Sequence, residues 1–273
     1  METLNYTQID IEKIIANKRK RKNSGVLKLV INLLKLILHQ DTINVMLKKN
    51  KGYTGYEFTT HILEELNVQF RIHSKTELDS NKSYLFVSNH PLGGLDGLIF
   101  ISYLGKKFGN IKAPANDLLI SIKELKDVFV PINKYGKMNF TNANTLNNAF
   151  NSGSQFLFFP AGLCSRLIKG EIKDLRWKNT FVKKAVEYKR DIVPMYFSGK
   201  NSMFFYRVAK LRKFFKIKFN IETIFLPNEM FKQKNTIFDI YIGNPIPYST
   251  INKDYSYNEW THIIRNKCYD LNK

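Results

Sequence analysis

Tyr84-Leu-Phe-Val-Ser-Asn-His-Pro-Leu-Gly-Gly-Leu-Asp96 passes from an apolar run, through a glycine-rich turn, into a helical pattern. Strand, turn and helix in that order open a βα unit, the building block of a parallel sheet. The residue before a proline is biased towards extended backbone, and Gly93 and Gly94 permit positive φ. The turn can therefore fold back until Asp96 reaches one ring nitrogen of His90. The other nitrogen then faces outward. A neutral imidazole held in that tautomer takes a proton from an incoming hydroxyl or amine while the carboxylate stabilises the imidazolium. Taken alone, such a pair also fits an ordinary hydrogen-bonded turn, so the surrounding sequence has to separate the two readings.

Outward from this stretch, short apolar runs at 84–87, 111–115, 128–132, 155–159, 192–197 and 237–242 alternate with helical patterns at 95–107, 116–126, 139–151 and 177–189. The alternation predicts an α/β fold, a mostly parallel central sheet flanked by helices, closed by a helix within 256–273. Sites in such sheets gather beyond the carboxyl ends of strands. His90 and the Phe159-Pro160 turn both fall there. No repeat or low-complexity linker interrupts the chain. The composition shifts near 39–60, which divides it into a basic amphipathic helical region for membrane association, 1–60, and an α/β domain, 61–273.

The 273 residues, 44% of them hydrophobic, suffice for one sizeable domain with an accessory element. Lys and Arg number 43 against 23 Asp and Glu, a net charge of +20, so the partner carries negative charge: an anionic membrane, nucleic acid, or an acidic cofactor or carrier protein. Cys164 and Cys268, far apart, argue against a disulfide scaffold and suit a reducing cytoplasm. The start of the chain shows no signal-peptide pattern. Five scattered histidines, His39, His61, His73, His90 and His262, form no zinc motif, and no metal site is expected. Walker, dinucleotide and Gly-x-Ser-x-Gly motifs are absent from the sequence.

Lys18-Arg19-Lys20-Arg21-Lys22 precedes an apolar segment at 26–38 in which Lys28, Asn32 and Lys35 form one polar stripe beside Leu29, Leu33 and Leu36. The segment is shorter than the ~20 residues needed to span a bilayer, so the reading is a helix lying on an anionic surface, or one packed on the domain. A second basic and aromatic stretch, 202–219, carries Arg207, Lys210, Arg212, Lys213, Lys216 and Lys218. Its rings and cations suit a lipid interface or single-stranded nucleic acid. At helical spacing, Phe204, Val208, Leu211 and Phe215 read first as a core face.

Ser88-Asn-His-Pro-Leu-Gly-Gly-Leu-Asp-Gly97, together with Phe159-Pro-Ala-Gly-Leu-Cys-Ser-Arg166, resembles the glycerolipid (lysophospholipid) acyltransferase family, across 85–247. The resemblance implies His90 and Asp96 as catalytic residues. It implies substrate contacts at Asn89, Gly93, Gly94, Phe159, Pro160, Ala161, Gly162 and Arg166, and at Asn133 and Lys134, which match a family block carrying a phosphate-binding arginine. Three positions depart from the family pattern. Five residues rather than four separate His90 from Asp96, Ala161 stands where a glutamate is usual, and Asn133 stands at or beside the arginine. The His-Pro-Leu-Gly-Gly-Leu-Asp string resembles a bacterial branch acylating lyso forms of amino-acid lipids.

The expectation is a peripheral enzyme on the cytoplasmic face of the bacterial inner membrane. It moves an acyl group from acyl carrier protein or coenzyme A thioester to a lysolipid hydroxyl, with no resident cofactor and no nucleic-acid partner. His90 deprotonates the hydroxyl, Asp96 orients His90, and no covalent intermediate forms. The alternatives are transfer to an amine, giving an acyl-amino-acid lipid, a Cys164 nucleophile paired with His90, or a non-catalytic binder of anionic membranes or nucleic acid.

Overall fold

The computed structural model describes residues 6–18, 25–74, 76–115, 117–131 and 140–273. In chain order its elements are α1 (Ile11–Lys18), α2 (Gly25–Ile37), α3 (Gln40–Lys49), α4 (Gly55–Glu65), β1 (Gln69–Ser74), β2 (Leu85–Ser88), α5 (Leu95–Phe108), β3 (Ile111–Ala115), α6 (Asp117–Ile120), β4 (Phe129–Pro131), α7 (Phe140–Asn151) and β5 (Gln155–Phe158). There follow β6 (Arg166–Ile168), β7 (Glu171–Lys173), α8 (Thr180–Glu187), β8 (Ile192–Ser198), α9 (Met203–Phe214), α10 (Leu226–Lys232), β9 (Ile237–Ile242) and α11 (Tyr257–Asp270).

β2 forms because its four residues are buried on both faces of the sheet, so no polar alternation interrupts the apolar run. Leu85 and Val87 point to a cluster with Phe156, Phe181 and Ile264. Phe86 points the other way, to Phe100, Leu104 and Phe197. Burying each of these side chains stabilises the fold by about 1.5–3 kcal/mol. The sheet order is β1-β9-β8-β2-β5-β3-β4, parallel except where β8 meets β9. β5 lies beside β2 in parallel, with Val87 opposite Phe158. The chain therefore leaves both strands at the same edge, which brings the His90 turn against the Phe159 turn.

β3 and β9 match the predicted spans, whereas the helix expected over 116–126 is broken into α6 and a 3-10 turn, Lys123–Leu125. Glu124 accounts for the break, since its buried carboxylate accepts the Thr7 backbone N–H and the Thr7 hydroxyl, each at 2.7 Å. Among the elements not anticipated are the edge strand β1, paired with β9, the β6–β7 hairpin and α10.

The core crosses the boundary expected at residue 60. Met46, Leu47 and Phe58 belong to the same cluster as Phe86 and Leu104. The segment before α1 is also tied down, because Ile9 exchanges two hydrogen bonds with the Asn44 side chain. Along α2, Ile31 packs inward while Leu29, Leu33 and Leu36 are 72%, 55% and 73% exposed. Among the described residues no helix is long and apolar enough to cross a membrane.

Candidate active site

The turn after β2 brings His90 and Asp96 together despite the extra residue between them. Gly93 absorbs it, at φ +79°, with its Cα so close to its neighbours that a Cβ would lie 3.0 Å from Cys164 Cβ and 3.1 Å from the Leu226 side chain. Gly94 needs no positive φ; at φ −154° it caps α5. Asp96, fully buried in the first turn of α5, accepts His90 Nδ1–H on Oδ2 at 3.1 Å. The backbone N–H groups of Leu92 and Gly93 also donate to Oδ2, and that of Gly97 to Oδ1. A carboxylate surrounded by donors fixes the proton of His90 on Nδ1 and leaves Nε2 as the basic nitrogen. The helix N-terminus favours the same negative charge.

The His90 ring is held from a second side by Phe159, which stacks on it with centroids 4.0 Å apart and planes at 22°. Burial lowers the pKa of His90, but the charge and hydrogen bond of Asp96, together with the nearby Asp174 carboxylate, outweigh it and raise the pKa overall. The ring side chain remains 14% exposed.

Asp174 went unread in the sequence, where it is one aspartate past a hairpin. Its buried Oδ1 accepts the His90 backbone N–H at 3.2 Å and the Ser165 hydroxyl at 2.6 Å, and its Oδ2 accepts Trp177 Nε1–H at 2.8 Å. Its own N–H donates to the Tyr269 hydroxyl, which ties the turn to α11. Ser165 N–H returns to the His90 carbonyl at 2.8 Å. Only the short Asp174-x-x-Trp177 spacing hinted at this hub. Asn201, also missed, holds Pro91 through Nδ2–H to the Pro91 carbonyl at 3.1 Å.

Several residues expected at the substrate are occupied elsewhere. Asn89 is clipped to β8: it accepts Phe197 N–H at 2.8 Å and donates to the Phe197 carbonyl at 3.0 Å. Arg166 does not await an anion. Its buried guanidinium pairs with Glu222 at 2.7 Å and donates to the Cys164 carbonyl and sulfur. Ala161 is buried against the second core cluster, and Pro160 is buried with its carbonyl accepting Lys178 N–H. Gly94 and Gly162 are exposed, and Gly93 and Phe159 partly so. Asn133 and Lys134 lie outside the described residues, as do Arg19, Lys20, Arg21 and Lys22; Lys18 ends α1. Cys164 is buried, and that burial pushes its thiol up to about 11, which disfavours the reactive thiolate form.

A histidine bonded through Nδ1 to a buried carboxylate, on a turn held by Gly93 at a strand's end, is an arrangement that can serve general-base chemistry. A family model described as Acyltransferase matches residues 13–273, and the chain belongs to that family; it is an acyltransferase. Over 264 residues it is 41% identical to the lyso-glycine lipid O-acyltransferase of Phocaeicola vulgatus, covering 96% of this chain and 95% of that protein. It is 40% identical to the lyso-glycine lipid O-acyltransferase of Bacteroides thetaiotaomicron, over 96% of this chain and 97% of that one. The crystal structure of the 1-acyl-sn-glycerophosphate (LPA) acyltransferase PlsC from Thermotoga maritima superposes with a TM-score of 0.44 at 14% identity, covering 90% of this chain and 97% of that chain.

Proposed function

We propose that the protein acylates the hydroxyl of a lyso-amino-acid lipid, a lyso-glycine lipid in the first instance, using an acyl carrier protein or coenzyme A thioester as donor. The observation that carries this reading is the His90 Nδ1 to Asp96 hydrogen bond, which leaves Nε2 free to act on an acceptor. Nε2 takes the hydroxyl proton as the oxygen attacks the thioester carbonyl. The tetrahedral intermediate then collapses, the carbon–sulfur bond breaks, and the thiolate recovers the proton from the imidazolium, giving an ester and a free thiol.

The acceptor class follows from the similarity to two lyso-glycine lipid enzymes and from what surrounds the turn. Ala161 brings no polar group, and the Arg166 charge is matched by Glu222, so neither position favours a phosphate head group. The net charge of +20 suits an acidic carrier protein and an anionic leaflet. With its leucine face outward, α2 is the element that would rest on that leaflet, which supports a peripheral location at the cytoplasmic face of the inner membrane.

Assay of acyl transfer from both donors to a lyso-glycine lipid and to matched lysophospholipids in vesicles tests this. Ester formation on the lyso-glycine lipid above the phospholipids is expected. Preference for a lysophospholipid, or an amide product from an amine acceptor, would contradict it.

A further inference from the structure

The segment 202–219 is not the core face that its spacing suggests. Phe205, Tyr206 and Ala209 are buried, while Leu211, Phe214, Phe215 and Phe219 are 56%, 77%, 66% and 63% exposed. This display is built into the backbone. α9 ends in paired reverse turns, with Lys216 N–H to the Lys213 carbonyl and Ile217 N–H to the Arg212 carbonyl, and Lys216 at φ +53°. Arg212 locks the turn by donating to the Ile217 carbonyl and pairing with the buried Glu222 at 2.8 Å. The aromatic side chains therefore project from a fixed corner of the molecule.

Arg207, Lys210, Lys213, Lys216 and Lys218 surround them, all exposed, and none is in an ion pair among the described residues. No acidic residue stands between Asp191 and Glu222. Apolar rings amid unneutralised cations match an anionic bilayer, whose headgroups take the lysines while the rings reach the acyl boundary. Two further contacts relate this corner to the rest of the site. Leu226, at the start of α10, packs with Cys164 against Gly93 in the His90 turn. His39, just past the end of α2, bonds to Asn228 of α10 at 3.0 Å, and α9 meets the same helix where Lys232 lies over the Phe204 ring.

We infer that the tip of α9, centred on Phe214, Phe215 and Phe219, is a second anchor to anionic phospholipid that acts with α2 to set the His90 turn against the membrane. The inference rests on the reading of the protein as an enzyme at a lipid surface.

The test is co-sedimentation of the full chain with vesicles of phosphatidylglycerol and phosphatidylethanolamine, comparing wild type with a Phe214→Ser, Phe215→Ser, Phe219→Ser variant and with Lys213→Gln, Lys216→Gln, Lys218→Gln. The side chains are exposed, so both variants should melt as wild type does. Partition should fall about tenfold or more in the aromatic variant and roughly fivefold per lysine in the other. Acyl transfer to detergent-dispersed acceptor should be unchanged, which separates loss of the anchor from absence of the proposed activity. Unaltered vesicle binding in the aromatic variant would overturn the inference. So would a lipid-free dimer that the substitutions abolish, or retention of single-stranded RNA that vesicles do not displace.

Discussion

His90 and Phe159 stack face to face across the ends of two neighbouring parallel strands, β2 and β5, with their ring centroids 4.0 Å apart. The stack holds the imidazole on one side while Asp96 holds it by an edge, so the direction of Nε2 is set by two contacts from different parts of the chain. Removing Phe159 frees the ring to tilt without removing the base. Phe159→Ala should lower kcat by on the order of tenfold to a hundredfold, whereas Phe159→Leu, which keeps apolar bulk against the ring, should lose less. Steady-state kinetics on both variants checks this.

The pH profile depends on the carboxylates around His90. The proposed mechanism needs the neutral imidazole, and the folded protein raises the His90 pKa above its ordinary 6.5, so the acid limb of kcat/KM should lie on the alkaline side of that value. The groups facing His90 are Asp96 and Asp174, which raise its pKa, and Arg166, which lowers it. Asp174→Asn removes one negative charge and should move the limb to lower pH. A limb that stays in place would remove Asp174 from this account.

Gly93 and Gly162 both have positive φ, +79° and +67°, but only Gly93 is also crowded. Gly162→Ala should cost about 1–2 kcal/mol from the left-handed backbone alone. Gly93→Ala adds a collision with Cys164 and Leu226 and should cost more, with activity falling as the turn shifts. Thermal unfolding of the two variants side by side measures the difference.

Glu222 is the shared counter-charge of Arg166 and Arg212. Glu222→Ala would leave the buried Arg166 guanidinium uncompensated and should destabilise the protein by about 3–5 kcal/mol. Denaturant unfolding should show this as a lower midpoint with the slope unchanged.

What the sequence revealed follows from which forces act locally. β3 and β9 were legible because runs such as Ile237–Ile242 are apolar and of strand length. β1 was not, because Gln69–Ser74 lies at the sheet edge with Gln, Arg and His exposed, and only its pairing with β9 makes it a strand. The hydrogen bond between His90 and Asp96 was legible because both residues sit on one turn. The roles of Arg166 and Asn89 were not, since their partners, Glu222 and Phe197, are brought to them only by the fold. In α9 aromatic residues occupy both faces, so spacing alone could not tell which face turned inward.

The most direct test of the central claim is ester formation on a lyso-glycine lipid by wild type and by His90→Ala, each from acyl carrier protein and coenzyme A thioesters in vesicles. Loss of the general base should reduce turnover by on the order of a hundredfold or more, with the melting temperature and vesicle binding retained. Equal turnover by the two proteins would contradict His90 as the base.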